Sequence, residues 1–285
     1  MSRVWSGADL RAWLMQRSAP LTVRYGRELL LEGADLPRPQ RLRVPTRHGD
    51  VRCARWAGRH EATYVHLHGG AFVMRHPAMD DFWARFVVAT TGLTVVDVDY
   101  DVAPKVRYPV AQEQAHDVLA HLAAEGLPAA VGGFSAGGSL AAAACLMARD
   151  LGTPPPRLQL LGVPSLDVAE SYDDKGVTGS MLGRSVLDLV RATYFRDAAR
   201  RAEPYASPLR AGSLAGLPPA YVVTGERDLL RREGDAYAAR LAEAGVPVDH
   251  HVVPGADHYF LTPANARREM TRMAEALSGA LLPSG

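Results

Sequence analysis

A serine in a glycine-rich turn is the residue in this sequence best suited to nucleophilic chemistry. Ser135 lies in Gly133-Phe134-Ser135-Ala136-Gly137, which has the pattern G-x-S-x-G. A predicted strand, Ala129 to Gly133, comes directly before it, and a predicted helix, Ser139 to Asp150, follows. A sharp strand-to-helix turn exposes the serine hydroxyl, and small residues on either side let strand and helix approach closely. The pattern therefore predicts a nucleophilic serine at position 135.

A serine hydroxyl needs a base that removes its proton, and the base needs an acid that fixes its tautomer. His258 and Asp228 are the best candidates because each follows a predicted strand, at the edge where the carboxyl ends of parallel strands meet. The alternatives are other acids and bases near the same strands, namely Glu226, Asp257, His250 and His251. The two adjacent histidines lie inside a predicted strand, which disfavours both as the base.

The loop His68-Gly69-Gly70-Ala71 follows another predicted strand, Thr63 to Leu67. Backbone N–H groups in such a loop can point without obstruction at the oxyanion of a tetrahedral intermediate. The predicted oxyanion hole consists of Gly69, Gly70, Ala71 and Ala136, and the best donors are the last three. We expect His68 to orient the loop by hydrogen bonding. The alternative, His66 and His68 as metal ligands, is disfavoured because no other metal-binding motif accompanies them.

Three alternating acids, Asp97, Asp99 and Asp101, suggest a carboxylate cluster that could bind a cation. Hard cations require about six oxygen ligands, and no oxygen-rich loop accompanies these residues. We therefore expect solvated or hydrogen-bonded carboxylates here, and the sequence predicts no metal and no cofactor.

Short apolar segments alternate with helical segments along most of the chain. The predicted strands are Thr63 to Leu67, Thr94 to Val98, Ala129 to Gly133, Leu158 to Val163, Ala220 to Thr224 and Val248 to Val253. The predicted helices are Phe82 to Thr91, Val110 to Ala124, Ser139 to Asp150, Glu233 to Ala244 and Ala266 to Leu281. Nearly continuous apolar strands are typical of a sheet covered on both faces. The alternation predicts an α/β fold with a mostly parallel, twisted sheet and helices on both faces.

Two segments do not follow this alternation. Residues 1 to about 40 are helical and rich in arginine, and residues 167–204 carry many charges and few strand signals. Ligands of open α/β sheets bind beyond the carboxyl ends of the strands, where such segments would cover a pocket. We predict one domain over residues 1–285 with a small helical cap from these two segments; an ordinary surface excursion is the alternative.

The composition bears on partners and location. The 285 residues include 32 basic and 31 acidic side chains with no basic stripe, so we expect no nucleic-acid partner. Two cysteines, Cys53 and Cys145, are too few for a disulfide framework. Prolines and glycines interrupt the uncharged segment Gly126 to Ala148, and charges interrupt the N-terminal segment. We therefore expect no stable membrane insertion, no signal peptide and a cytoplasmic location. An exposed edge strand would support a homodimer.

Taken together, the motifs resemble those of the hormone-sensitive-lipase-like (bacterial type IV) esterases of the α/β-hydrolase fold. Beyond the catalytic motifs, Asp99 to Lys105 resembles the family's Y-R-L-A-P-E segment, and Tyr205 to Leu209 its D-P-x-x-S-P-L segment. Arg231 to Val246 is similar to the helix that follows the catalytic acid. The resemblance implies that Ser135 is the nucleophile, His258 the base and Asp228 its orienting acid, in the chain order that α/β-hydrolases use.

Departures from the family pattern concern the substrate range. The third glycine of the family's oxyanion loop is Ala71 here, which keeps its N–H but is strained if the site needs a positive φ. Phe134 stands where the family has aspartate beside the nucleophile. Tyr259, directly after His258, stands where the family's H-G-F segment has glycine. The residues expected to line the substrate pocket are Phe72, Met74, Phe134 and Tyr259.

The sequence and the resemblance together predict a serine hydrolase of carboxylic esters with short acyl groups, acting through an acyl-enzyme intermediate on a small-molecule ester and water. Two alternatives stay open. The same apparatus would serve an amide or N-acyl hydrolase of a small metabolite, and the same scaffold would serve a non-catalytic small-molecule binding protein.

Overall fold

The computed structural model describes residues 5–22, 27–127, 129–175 and 179–283. The described part contains eight strands: β1 (Gln40–Val44), β2 (Val51–Trp56), β3 (His60–Leu67), β4 (Leu93–Asp99), β5 (Ala129–Phe134), β6 (Gln159–Gly162), β7 (Ala220–Gly225) and β8 (Val248–Val253). Its α-helices are α1 (Gly7–Thr22), α2 (Asp81–Thr91), α3 (Val110–Ala124), α4 (Ala136–Leu151), α5 (Arg184–Thr193), α6 (Arg231–Glu243) and α7 (Ala266–Leu281).

All eight strands form a single sheet in the order β1-β2-β4-β3-β5-β6-β7-β8. From β4 to β8 the pairs are parallel, which confirms the predicted α/β fold with a mostly parallel sheet. β1 and β2 were not predicted from the sequence; they pair antiparallel with each other, and β2 pairs antiparallel with β4. Their polar residues alternate with apolar ones because they lie at an edge of the sheet.

Helices cover both faces of the sheet and create two cores. One core joins α3, α4 and α6 to the sheet, through residues such as Val118, Leu140 and Tyr237. The other joins α2 and α7 to the opposite face, through residues such as Trp83 and Met270. Every residue of β5, β6 and β7 is buried, as expected for central parallel strands. The carboxyl ends of β3, β5, β7 and β8 therefore lead into loops that a rigid core holds in place.

The uncharged segment Gly126 to Ala148 contains β5, a tight turn and most of α4, as the sequence indicated. Across the described ranges, no helix has the length and apolarity needed to cross a membrane.

The two segments predicted to form a cap contain α1 and α5, which pack against each other. Helix α5 was not recognised in the sequence, because its apolar residues are separated by charged ones. Residues 1–4, 23–26 and 176–178 of the predicted cap lie outside the described residues.

Candidate active site

Ser135 occupies the turn between β5 and α4, with a positive φ of 55° and a ψ of −115°. Its N–H donates to the Gly162 carbonyl at 2.9 Å, which ties the turn to the neighbouring strand β6. A Cβ added at Gly133 or Gly137 would overlap the Leu67 carbonyl oxygen. The two glycines are therefore required by close packing, and the turn holds the serine in a backbone conformation that L-residues rarely adopt.

A histidine contacts the Ser135 hydroxyl, and an aspartate contacts the histidine from behind. His258 Nε2 lies 2.9 Å from Ser135 Oγ, and His258 Nδ1 lies 3.0 Å from Asp228 Oδ2. Asp228 is fully buried, and its other oxygen accepts the Leu230 N–H at 3.1 Å. A carboxylate on Nδ1 fixes the tautomer in which Nδ1 carries the proton, so Nε2 is free to accept the serine proton. The loops after β5, β7 and β8 bring these three residues together.

The structure places the alternative acids and bases elsewhere. The carboxylate of Glu226 accepts the Gly255 N–H, and Asp257 accepts the Ser180 hydroxyl and the backbone N–H of His258. Although burial opposes ionisation, those hydrogen bonds lower the pKa of Asp257. His250 contacts Asp235, and His251 contacts Glu269. These side chains have structural partners away from the serine hydroxyl.

The loop after β3 passes directly beside the serine. A Cβ built on Gly69 would lie 3.9 Å from Ser135 Cβ, and Gly70 has a φ of 127°. The Gly69 N–H is directed to Asp80 Oδ2 at 3.4 Å, so this residue is anchored to the protein interior. The remaining predicted donors are the N–H groups of Gly70, Ala71 and Ala136, the last at the start of α4. Ala71 has a φ of 53°, so an L-residue adopts the left-handed conformation that glycine would adopt without strain.

His68 fixes this loop through hydrogen bonds and ring stacking. Burial lowers the pKa of His68 to about 4, so the ring is neutral, and its Nδ1–H donates to the Gly69 carbonyl at 2.5 Å. The ring stacks on Tyr100 at 4.4 Å, and the Tyr100 hydroxyl donates to the His68 carbonyl at 2.7 Å. These contacts agree with the loop-orienting role predicted for His68.

Two cavities meet at Ser135. The larger, of about 310 Å³, extends past His258 and is lined by Met74, Phe134 and Tyr259 among others. The smaller, of about 40 Å³, extends past Ala71 and Ala136 and is lined by Phe72. Phe72 has a φ of 56°, and its ring is held by stacking on Tyr194 at 5.1 Å. All four predicted pocket residues thus contact a cavity, three in the larger and one in the smaller.

Helices α1 and α5 both contribute to these cavities. Met15 of α1 and Val186 of α5 line the larger cavity, and Val190 of α5 lines the smaller one. The segment before α5 is attached to the histidine loop through Ser180, whose hydroxyl donates to Asp257 at 2.6 Å. The segment before α5 and the loop that carries His258 are therefore physically connected.

Comparison with known proteins identifies the family of the chain. The family profile of the alpha/beta hydrolase fold matches residues 64–262. The chain belongs to the α/β-hydrolase family. An arylesterase of Saccharolobus solfataricus is 36% identical over 227 residues, which are 75% of this chain and 72% of the arylesterase. The carboxylic ester hydrolase LipN of Mycobacterium tuberculosis is 36% identical over 69% of this chain, although only 56% of LipN is covered. A bacterial heroin esterase of known structure has a TM-score of 0.85 at 29% identity, with 96% of this chain and 93% of that chain covered.

These similarities confirm the resemblance to hormone-sensitive-lipase-like esterases, and with it the prediction of a carboxylic ester hydrolase. The match begins within β3 and ends just after the histidine loop, so it contains Ser135, His258 and Asp228. Helices α1 and α7 of this α/β-hydrolase lie outside the matched range.

The three alternating acids near β4 of this α/β-hydrolase have protein partners. Asp99 pairs with Arg52 and Arg75, and Asp101 pairs with Arg75 and Lys105. Asp97 is buried and accepts the indole N–H of Trp56 at 2.8 Å. Within the described ranges, no group of three histidine, cysteine or acidic residues is arranged to hold a metal ion.

Two features of the site were missed by sequence reasoning. Glu233 is buried, pairs with the buried Lys175 and accepts the N–H groups of Leu166 and Asp167 at 2.6 Å, beside the smaller cavity. Burial raises the pKa of Glu233 to about 7, although Lys175 opposes this. The second feature is Asp80, a buried carboxylate that lines the larger cavity. Neither lies in a motif, and both depend on contacts between distant parts of the chain.

Proposed function

We propose that this protein hydrolyses carboxylic esters with short acyl groups through a Ser135, His258 and Asp228 triad and an acyl-enzyme intermediate. The observation that carries the proposal is the continuous hydrogen-bonded path from Asp228 Oδ2 to His258 at 3.0 Å and from His258 to Ser135 Oγ at 2.9 Å. The names of the relatives, an arylesterase and a carboxylic ester hydrolase, support an ester as the substrate.

In this mechanism Ser135 Oγ attacks the ester carbonyl carbon while His258 Nε2 takes the hydroxyl proton. The carbonyl oxygen becomes an oxyanion that accepts hydrogen bonds from the N–H groups of Gly70, Ala71 and Ala136. The C–O bond of the ester then breaks, and His258 returns its proton to the leaving alcohol. A water molecule, deprotonated by His258, attacks the acyl carbon of the acyl-enzyme. The bond between that carbon and Ser135 Oγ then breaks, His258 returns the proton to Oγ, and the carboxylic acid is released.

The position of His258 indicates which part of the substrate each cavity holds. The leaving alcohol must lie within hydrogen-bond reach of His258 Nε2, so it occupies the larger cavity, which His258 lines. The acyl group extends past the oxyanion donors into the smaller cavity of about 40 Å³. Since a single water needs about 10–15 Å³ in such a cavity, this volume holds about three water-sized groups. Acetyl to butyryl groups therefore fit, and long acyl chains do not. Helices α1 and α5 serve as the cap that closes both cavities.

The nucleophile is tested with a short p-nitrophenyl ester and a fluorophosphonate probe. Ser135→Ala is expected to abolish turnover and labelling while leaving the circular dichroism spectrum and the melting temperature close to those of the wild type. The matched control is Ser139→Ala, which removes a buried serine hydroxyl one helical turn away. The control is expected to keep both turnover and labelling. Full turnover by the Ser135 variant would refute the proposal.

The acyl limit is tested with p-nitrophenyl esters from acetyl to dodecanoyl. We expect the highest kcat/KM for acetyl to butyryl esters and a fall of at least about tenfold for octanoyl. Leu187→Ala, which enlarges the smaller cavity, should shift the optimum to longer chains. Leu261→Ala is the matched control because Leu261 lines the larger cavity. An optimum at long acyl chains in the wild type, or an equal shift in both variants, would contradict the assignment of the cavities.

A further inference from the structure

A buried series of hydrogen bonds ends at Asp80, which lines the larger cavity together with His258. Trp83 Nε1 lies 3.5 Å from the Tyr64 hydroxyl, which lies 3.0 Å from His66 Nδ1. His66 Nε2 in turn lies 3.0 Å from Asp80 Oδ2. Each of these four side chains is at most 1% exposed. This series of hydrogen bonds runs from Trp83 on α2, through Tyr64 and His66 on β3, to Asp80, which directly precedes α2.

The donors in this chain have a fixed order. An indole N–H can only donate, so Trp83 donates to Tyr64, and the Tyr64 hydroxyl proton is directed to His66 Nδ1. His66 therefore carries its proton on Nε2 and donates it to Asp80. The Gly69 N–H donates to the same carboxylate oxygen at 3.4 Å. Oδ2 of Asp80 therefore accepts two hydrogen bonds.

In the part of the chain that the structure describes, the other oxygen of this carboxylate has no hydrogen-bond partner. Among the described residues, no donor lies within hydrogen-bond distance of Asp80 Oδ1, although Asp80 is 1% exposed and lines the larger cavity. A buried carboxylate oxygen left without a donor is unfavourable, and buried acceptors in folded proteins are nearly always paired. Much of the remaining lining is apolar, including Met79, Phe134 and Phe260. A ligand in this cavity would thus meet one negative charge in apolar surroundings.

We propose that Asp80 is a specificity-determining residue that selects esters whose alcohol part carries a protonated amine. The inference rests on the proposed function, because it assigns the larger cavity to the leaving alcohol. An ammonium N–H on the alcohol would donate to Asp80 Oδ1 and complete the hydrogen bonding of the carboxylate. A charge-assisted hydrogen bond in a cavity with little water is stronger than the bond to water that it replaces. A neutral alcohol of the same shape would leave Oδ1 without a donor.

The test compares two acetate esters of nearly identical shape near neutral pH. One is 2-(dimethylamino)ethyl acetate, whose amine is protonated, and the other is 3-methylbutyl acetate, which has a C–H in place of the N–H. In the wild type we expect kcat/KM for the amino ester to exceed that for the neutral ester by about tenfold or more, mainly through KM. Asp80→Asn should reduce this ratio at least about fivefold. Because the ratio is taken within one protein, a general loss of activity in the variant cancels.

Asp81→Asn provides the matched control. Asp81 is the next residue in the chain, it loses the same charge on substitution, and it does not line the cavity. Its substitution is expected to leave the substrate ratio unchanged. An equal fall of the ratio in both variants would mean a general electrostatic effect and would overturn the role of Asp80.

If Asp80→Asn does not fold, a second pair of substrates tests the proposal with the wild type alone. Acetylcholine and 3,3-dimethylbutyl acetate form a second matched pair, in which the ammonium has charge but no N–H. We expect a smaller preference in this pair than in the first; an equal preference would overturn the hydrogen bond to Oδ1. A wild-type ratio near one, with both first esters hydrolysed, would overturn the inference while leaving the proposed function intact. Absence of turnover of any ester would instead refute the proposed function.

Discussion

Two buried histidines of this protein make similar contacts in opposite directions. His258 lies between Asp228 and the Ser135 hydroxyl, and His66 lies between Asp80 and the Tyr64 hydroxyl. In the first group the aspartate is at the back and the hydroxyl lines the cavity. In the second group the tyrosine hydroxyl is at the back and the aspartate lines the cavity.

The orientation decides the chemistry that each group presents to a ligand. A carboxylate behind a histidine makes the far ring nitrogen a proton acceptor, which activates a hydroxyl. A donating hydroxyl behind a histidine makes the far ring nitrogen a proton donor, which stabilises an anion at the cavity. The same three functional groups thus present a hydroxyl to the cavity in one group and a carboxylate in the other.

The largest expected effect is on kcat, when the aspartate of the first group is replaced. Asp228→Asn should reverse the tautomer preference of His258, because an amide N–H can face Nδ1, and kcat should fall by roughly 10⁴. Asp257→Asn is the control, since Asp257 contacts the same histidine through its backbone N–H. We expect it to lower kcat less than about tenfold in a p-nitrophenyl acetate assay. A similar loss in both variants would remove Asp228 from its role as the orienting acid.

The second group should contribute more to stability than to the rate of the chemical step. Tyr64→Phe removes the donor to His66 Nδ1 and leaves a buried acceptor without a partner, so the free energy of unfolding should fall by about 1–3 kcal/mol. The control is Tyr205→Phe, which removes a more exposed hydroxyl that donates to Asp150. Urea denaturation should show a change below about 1 kcal/mol for the control. Equal changes in the free energy of unfolding of both variants would show that the buried hydrogen bond from Tyr64 to His66 gives no special stabilisation.

Asp97 makes the surroundings of His66 sensitive to pH. It lies beside His66 in the β3–β4 register, and burial raises its pKa to about 7 from its ordinary value of 3.8, although His66 and the Trp56 N–H oppose the change. The folded state therefore keeps a proton on Asp97 between about pH 4 and pH 7 that the unfolded state has lost. In this window the free energy of unfolding of the wild type should fall with rising pH, relative to Asp97→Asn, by up to about 1.4 kcal/mol per pH unit.

Urea denaturation of both proteins at several pH values measures this difference. Other titrating groups cancel in the comparison, and above the window the difference should become constant. A relative stability of the wild type that rises with pH would show that Asp97 is held as a stabilised anion.

The sequence was sufficient for the parts of the site that depend on local structure. Ser135 was found because a strand, a tight turn and a helix follow one another, and Asp228 and His258 because each follows an apolar strand. The edge strands β1 and β2 were missed since their alternating arginines weaken the apolar pattern. Asp80 and Glu233 could not be recognised, because their roles depend on partners brought together by the fold: His66 for one, and Lys175, 58 residues away, for the other.

The smallest expected effect concerns the backbone of the predicted oxyanion loop after β3, whose Gly69 lies near Ser135 and donates to Asp80. Ala71 has a φ of 53°, so Ala71→Gly should relieve strain and raise the free energy of unfolding by up to about 1 kcal/mol while keeping the N–H. Ala276→Gly, in the middle of α7, is the control and should lower stability by about 1 kcal/mol, since glycine is unfavourable within a helix. The opposite signs distinguish relief of strain from the general cost of glycine. If thermal denaturation shows both variants destabilised alike, the loop is not strained at Ala71, and its positive φ is maintained by packing at no cost to the folded state.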